Sequence, residues 1–101
     1  MSDSVSYPGV VLVTGAAGGM GANHAKALAA RGVHVCVADV ADTSVVMAEI
    51  EAAGGSASAH RLDVADSAAW TRVIDEIRST KGELGGLVNN AGISRRREFM
   101  D

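Results

Sequence analysis

Short apolar runs alternate with longer stretches of mixed polarity along this chain. The runs Val10–Val13 and Val33–Ala38 are rich in β-branched residues and short, which is typical of strands buried on both faces. A weaker run predicts a third strand at Ser58–Leu62, and a fourth strand, Leu87–Asn89, is predicted after Gly85 and Gly86. The pattern therefore predicts four short strands.

The stretches between the first three runs predict two helices. The first is rich in Ala and runs from about Met20 to Arg31, where Gly32 is suited to the left-handed position that follows a helix. The second begins at Asp42 or Thr43, either of which can cap a helix, and runs to about Ala53.

A third helix, capped by Asp66 or Ser67, is predicted between the last two strands. Its apolar residues recur at three- and four-residue spacing and give one buried face: Ala69, Trp70, Val73, Ile74 and Ile77. The order β-α-β-α-β-α-β with right-handed crossovers predicts an α/β fold of three layers. This is a partial, doubly wound parallel sheet of Rossmann type with strand order 3-2-1-4 and the first two helices on one face.

The composition narrows the class of protein. With 101 residues, 48% of them hydrophobic, the chain is expected to form a single domain, residues 1–101. A net charge of −3 argues against a nucleic-acid binder, and the single cysteine, Cys36, lies in an apolar run and is expected to be an inert buried thiol. Residues 1–8 are polar and acidic and have neither a basic region nor a long apolar stretch, so no signal peptide or membrane span is expected and a cytoplasmic location is. The histidines do not have the spacing of metal ligands.

A glycine-rich segment, Thr14-Gly15-Ala16-Ala17-Gly18-Gly19-Met20-Gly21, joins the first predicted strand to the first helix. Unpaired N–H groups at a helix start suit a pyrophosphate, and glycines let it approach the backbone. A P-loop is excluded because no Gly-Lys-Ser/Thr follows. The alternative is a glycine-rich turn without a ligand.

The second predicted strand is followed by Asp39, which lies 39 − 21 = 18 residues after Gly21. An acidic residue at this place hydrogen-bonds the adenosine ribose of NAD, and its charge repels the 2′-phosphate of NADP. Because Ala17, Gly18 and Val40 are not basic, NAD is favoured over NADP. The alternative for Asp39 is a solvated loop carboxylate or a helix cap.

Three segments together resemble the short-chain dehydrogenase/reductase family over about Val10 to Ser94. The spacing Thr14-Gly15-x-x-x-Gly19-x-Gly21 is similar to the family's fingerprint, although Gly18 also satisfies the spacing of its extended members. Leu62-Asp63-Val64 and Asn89-Asn90-Ala91-Gly92 resemble two further family motifs in the right order. Together they favour the ordinary branch of the family.

The resemblance implies a cofactor-binding role for the ends of all four strands. Asp63 would hydrogen-bond the adenine, beside the apolar Val64, although a turn-forming role for Asp63 stays open. Asn89 is expected to be structural, while Asn90 and the two residues after it would line the ribose on the nicotinamide side. The implied cofactor-binding residues are Gly15, Ala17, Gly19, Met20, Gly21, Asp39, Val40, Asp63, Val64, Asn90, Ala91 and Gly92.

No catalytic residue is assigned in this chain. In the family a Ser and a Tyr-x-x-x-Lys pair carry the acid–base chemistry, but the only tyrosine, Tyr7, is followed four residues on by Val11. The fourth strand would also leave an exposed apolar edge. The chain is therefore expected to be an N-terminal, inactive piece of an NAD-dependent enzyme that transfers hydride between an alcohol or carbonyl substrate and its cofactor, and that is a homo-oligomer when whole. The alternative is a stand-alone, non-catalytic nucleotide-binding or interaction module.

Overall fold

The computed structural model describes residues 9–90, which form one parallel four-stranded sheet with helices on both faces. The strand order is β3-β2-β1-β4, as the sequence predicts. In chain order the elements are β1 (Val10–Thr14), α1 (Gly19–Ala30), β2 (His34–Asp39), α2 (Ser44–Ala52), β3 (Ser56–Arg61), α3 (Ser67–Thr80) and β4 (Gly86–Asn89).

The predicted element boundaries are accurate to within two residues. The largest difference is at β3, which begins at Ser56 and not at Ser58. Its pairing with β2 accounts for this, since Ser56 lies opposite His34, the first residue of β2. Gly32 and Gly54 both have positive φ, +87° and +85°, directly after the last turns of α1 and α2. The left-handed helix end predicted at Gly32 is confirmed.

The two faces of the sheet carry separate apolar clusters. Alternating residues of β1 point to opposite faces, so that Val11 and Val13 contact one cluster and Val10 and Leu12 the other. Buried residues of α1 and α2 belong to the first cluster, and those of α3 to the second. This is the predicted placement of the helices, and it leaves all five residues of β1 buried.

Helix α3 begins at the cap that the sequence predicts. Asp66 Oδ1 accepts hydrogen bonds from the backbone N–H groups of Ala68 (3.0 Å) and Ala69 (3.2 Å). The inward face consists of Ala69, Val73 and Ile77, which are buried, and of Trp70 and Ile74, which are partly buried.

At the start of helix α2, the residue at the cap position and the residue that accepts the hydrogen bonds are different. Thr43 occupies the cap position and is buried, but its side chain makes no capping bond. Asp42 supplies the contact, because its Oδ1 accepts from the N–H of Ser44 (2.9 Å) and its Oδ2 from the Ser44 hydroxyl (3.0 Å). These bonds lower the pKa of the Asp42 carboxyl.

A chain of polar side chains crosses β2 and β3 on the side of the sheet that faces α3. The Ser58 hydroxyl lies between two imidazoles, 3.0 Å from His34 Nε2 and 2.8 Å from His60 Nε2. At the ends, His34 Nδ1 lies 2.6 Å from the Ser56 hydroxyl, and His60 Nδ1 lies 3.0 Å from Glu76 Oε1. Burial, followed by the charges of Lys81 and His60, lowers the pKa of His34 below its ordinary value of 6.5.

The outer strands leave two edges within residues 9–90. At β4 the side chain of Leu87 is 51% exposed, so the predicted apolar edge is present among the described strands.

Cys36 is fully buried, as expected, and burial raises the pKa of its thiol. Within residues 9–90 no helix is both long and apolar enough to span a membrane.

Candidate functional site

The carboxyl ends of the parallel strands bring the predicted site residues to one edge of the sheet. Thr14 at the end of β1 lies opposite Ala38 of β2 and opposite Asn89 of β4. Asp39 follows Ala38 directly, and Arg61 of β3 is its neighbour across the strands. In open parallel sheets this edge is where ligands bind.

The glycine-rich turn is shaped by two residues with positive φ, Gly15 (+62°) and Gly19 (+59°). The turn is fixed to β2 by a hydrogen bond from the N–H of Ala16 to the carbonyl of Ala38, 3.1 Å long. Neither glycine could be replaced by a residue with a side chain without backbone strain. The chain therefore turns sharply from β1 into α1.

The start of α1 presents free backbone donors. Gly18 stands at the cap position, where no side chain accepts from the helix, and Ala22 N–H is the first to bond back, to the Gly18 carbonyl at 3.3 Å. Within residues 9–90 the N–H groups of Gly19, Met20 and Gly21 have no hydrogen-bond partner. Free N–H groups at the positive end of a helix dipole are suited to an anion such as a phosphate.

Gly21 is required by close packing of α1 against the turn. A Cβ built on Gly21 would overlap the carbonyl oxygen of Gly15 and lie 2.7 Å from its carbon. By contrast, a Cβ on Gly18 or Gly19 would meet no atom within 4 Å. The first turn of α1 therefore rests on the backbone of the turn, while the ligand side of the turn is open.

Asp39 connects the glycine-rich turn to the end of β2. Its Oδ2 accepts a hydrogen bond from the N–H of Ala17 (3.0 Å), and its Oδ1 accepts from the N–H of Ala41 (3.0 Å). A carboxylate can accept more bonds than these. The carboxylate is thus held in place and can still accept hydrogen bonds from a ligand. The side chain of the neighbouring Val40 is 51% exposed.

Arg61 is a charged residue of this edge that the sequence analysis missed. It lies 22 residues after Asp39 in the chain but directly beside it in the sheet. Its Nη1 donates to the carbonyl of Val40 at 3.0 Å. A cleft of about 340 Å³ opens here, lined by Asp39, Val40, Ala41, Asp42, Thr43, Ala59, His60 and Arg61. The register of β2 and β3 brings Arg61 to this cleft, and no local sequence pattern indicates that register.

The predicted adenine contact, Asp63 and Val64, lies in the loop between β3 and α3. Asp63 Oδ1 accepts from the N–H of Ala65 (3.0 Å), so the turn-forming role left open for Asp63 is present. Trp70 of α3 fixes the same loop, because its indole N–H donates to the carbonyl of Val64 at 2.8 Å. Asp63 is exposed, and its contact with a ligand stays a prediction.

The ends of β1 and β4 are joined by a buried hydroxyl. Thr14 Oγ1 donates to Asn89 Oδ1 at 2.7 Å, which confirms the structural role predicted for Asn89. Asn90 Nδ2 donates in turn to the carbonyl of Thr14 at 3.3 Å, so part of Asn90 is structural as well. Ala91 and Gly92, also predicted to line the site, lie outside the described residues.

The parallel sheet of order 3-2-1-4, with a glycine-rich turn leading from β1 into α1, defines a Rossmann-type α/β fold. Comparison with protein-family models gives a match to the short-chain dehydrogenase family over residues 9–101. The chain belongs to this family.

Curated relatives of this chain are dehydrogenases. It is 44% identical over 86 residues to 2,5-dichloro-2,5-cyclohexadiene-1,4-diol dehydrogenase of Sphingobium indicum, covering 83% of this chain and 34% of that protein. It is 40% identical over 94 residues to cyclopentanol dehydrogenase of Comamonas, covering 91% of this chain and 38% of that protein. The chain therefore spans little more than a third of the length of these relatives.

Solved structures agree with the fold. A short chain dehydrogenase from Mycobacterium avium matches with a TM-score of 0.77 and 41% identity, over 80% of this chain and 32% of that one. A metagenomic short-chain oxidoreductase in complex with NADP matches with a TM-score of 0.73 and 35% identity, over 77% of this chain and 36% of that one.

Proposed function

We propose that this chain is the cofactor-binding segment of an NAD-dependent oxidoreductase that acts on alcohols or carbonyl compounds. The observation that carries the proposal is the position of Asp39, whose carboxylate is fixed to the glycine-rich turn beside the free N–H groups of Gly19, Met20 and Gly21. Backbone N–H donors for the phosphates and a carboxylate that accepts from the ribose hydroxyls are the combination that a dinucleotide needs at this edge.

The proposal names NAD in preference to NADP because of charge. A 2′-phosphate on the adenosine ribose would approach the Asp39 carboxylate, and Asp42 lines the same cleft. The hydroxyls of NAD can instead donate hydrogen bonds to Asp39. A neighbour of similar fold was solved with NADP, so the proposed preference for NAD rests on the residues of this cleft and not on that neighbour.

When bound, the nicotinamide would accept or supply the hydride, and the residues of this chain would bind and orient the dinucleotide. The N–H groups of the turn would hold the pyrophosphate, Asp39 and Val40 the adenosine ribose, and Asp63 and Val64 the adenine. Asn90, with Ala91 and Gly92, would line the second ribose. No acid–base residue of the reaction is proposed within this chain.

The substrate class proposed for the whole enzyme is a secondary alcohol or the matching ketone. The names of several relatives support this, including cyclopentanol dehydrogenase and trans-4-hydroxycyclohexanecarboxylate dehydrogenase of Sinomonas cyclohexanicum, both named for ring alcohols. A cytoplasmic location and a homo-oligomeric whole enzyme also stay proposals.

The test is calorimetric titration of the chain with NAD and with NADP, repeated on Asp39→Asn. We expect the wild-type chain to bind NAD more tightly than NADP. Losing hydrogen bonds to a ribose costs on the order of 1–3 kcal/mol, so Asp39→Asn should weaken NAD binding by roughly fivefold or more.

Asp75→Asn is the matched control, because Asp75 is an exposed aspartate on α3, on the opposite face from the turn. It should leave both affinities unchanged. Binding of neither dinucleotide, or equal loss in both aspartate variants, would overturn the proposal. Tight binding of a different nucleotide with no preference for NAD would favour the non-catalytic module.

A further inference from the structure

We infer that Arg61 is a cofactor-specificity residue, which stands beside Asp39 in the ribose cleft and permits residual binding of a 2′-phosphorylated dinucleotide. The inference rests on the proposed function and deepens it. It concerns how strictly the site excludes NADP.

The position of Arg61 follows from the pairing of β2 and β3. Asp39 and Arg61 are cross-strand partners, and partners in a parallel ladder point to the same face about 4.8 Å apart. That face is the one covered by α1 and α2, where Val37 and Val35 precede Asp39 in alternation. The side chains of Asp39 and Arg61, which carry opposite charges, therefore extend from neighbouring positions at the carboxyl edge of the sheet.

The guanidinium of Arg61 is held but not neutralised. Its Nη1 donates to the carbonyl of Val40 at 3.0 Å, which fixes it on the loop that follows Asp39. It forms no ion pair with any carboxylate among residues 9–90, although Asp39 and Asp42 line the same cleft. A guanidinium has several N–H donors, so most of them remain available to a ligand.

The chemistry of this arrangement suits an added phosphate. Guanidinium groups bind phosphate through paired, charge-assisted hydrogen bonds. Among the residues that line the cleft, Arg61 is the single arginine or lysine, opposed by Asp39 and Asp42. A ribose hydroxyl needs Asp39 and gains little from Arg61, whereas a 2′-phosphate is repelled by the carboxylates and attracted by Arg61. The ratio of the two affinities should therefore depend on this side chain.

The experiment measures the dissociation constants of NAD and NADP for wild-type chain, Arg61→Gln and Arg61→Lys. We expect Arg61→Gln to weaken NADP binding by about tenfold, with NAD binding changed by less than about twofold, since the loss of one charged hydrogen-bond donor is of this size. Arg61→Lys keeps the charge and should restore most of the NADP affinity. Arg72→Gln, on the exposed side of α3, is the matched control and should change neither constant.

A merely structural role for Arg61 predicts a different result. If its bond to Val40 only stiffened the loop, Arg61→Gln would weaken NAD and NADP equally, and that result would overturn the inference. The same holds if the NADP affinity of the wild-type chain and of Arg61→Gln fell equally with added salt, because an Arg–phosphate contact is screened. An unchanged ratio with normal NAD binding refutes the role of Arg61 alone, whereas absence of all dinucleotide binding refutes the proposed function and this inference with it.

Discussion

The carboxylate of Asp39 accepts a hydrogen bond from the backbone N–H of Ala17, with a distance of 3.0 Å between Oδ2 and the nitrogen. This bond joins the end of β2 to the turn that follows β1, across 22 residues of sequence. The residue proposed to bind the ribose is therefore also part of the frame that shapes the phosphate-binding turn. Substitution of Asp39 must affect stability as well as binding.

Two substitutions of Asp39 should lower the stability of the fold by different amounts. Asp39→Ala removes the hydrogen bonds from the N–H groups of Ala17 and Ala41. It should lower the free energy of unfolding by about 1–2 kcal/mol, because each hydrogen bond to a charged acceptor stabilises the folded state. Asp39→Asn keeps one acceptor oxygen and should lose less. Urea unfolding followed by circular dichroism measures both. Equal stability of wild-type chain and Asp39→Ala would contradict the bracing role.

Gly21→Ala should destabilise the fold through a collision with the backbone. The new Cβ would overlap the Gly15 carbonyl oxygen, which cannot move without opening the turn. Overpacking of this kind costs about 1–3 kcal/mol, and we expect that loss in urea unfolding together with weaker NAD binding.

The matched control for this glycine is Gly18→Ala in the same turn. A Cβ there meets nothing within 4 Å, and the φ of −169° suits any residue. Its stability should stay within about 0.5 kcal/mol of the wild-type chain. If the two variants unfolded at the same urea concentration, the close approach of α1 to the turn would not be what requires a glycine.

Asp66→Ala should weaken the start of α3. The side chain accepts from the N–H groups of Ala68 and Ala69, and loss of such a cap costs about 1 kcal/mol. Ser67→Ala, one residue later, is the control, because its side chain lies outside these capping bonds. Thermal unfolding should separate the two variants, and equal midpoints would argue that Asp66 is not the cap in solution.

The chain should lose stability on mild acidification because of His34. Its folded-state pKa lies below the ordinary value of 6.5, so the unfolded chain binds more protons as the pH falls past that value. The contribution of neutral His34 is therefore complete above 6.5 and is lost as the pH decreases through the folded pKa. Urea unfolding at about pH 7.5 and about pH 5.5 measures this difference.

His34→Gln isolates that contribution. The variant cannot be protonated beside Lys81 and His60, so its stability should change less between the two pH values than that of the wild-type chain. His24→Gln, on an exposed position of α1, controls for removal of an imidazole. A His34→Gln chain with the full wild-type pH dependence would assign the effect to other groups.

Much of the fold could be predicted from local sequence. The apolar run of β1, the cap at Asp66 and the glycine after α1 each act over a few residues, so periodicity and residue type were enough. The order of strands followed from the handedness of the crossovers. The turn and Asp39 could likewise be predicted, because their spacing along the chain carries the signal.

The parts that the sequence did not predict depend on contacts between strands. Arg61 reaches Asp39 only through the register of β2 and β3, and that register also brings Ser58 between His34 and His60. A one-residue shift would turn all these side chains to the other face, and no local pattern fixes the shift in a strand of alternating Ser and Ala. For the same reason, the residues adjacent to Asp39 in sequence do not indicate that a positive charge lies beside the ribose cleft.

The most direct test of the proposed function is a proton–nitrogen correlation NMR titration of the chain with NAD. The proposal places the pyrophosphate against the backbone N–H groups of Gly19, Met20 and Gly21, with the ribose at Asp39. We expect the amide signals of these residues to shift in a saturable way, while signals from the exposed face of α3, such as Arg72 and Ser79, stay in place. Saturable shifts confined to another surface, or no shifts at all in a folded chain, would contradict it.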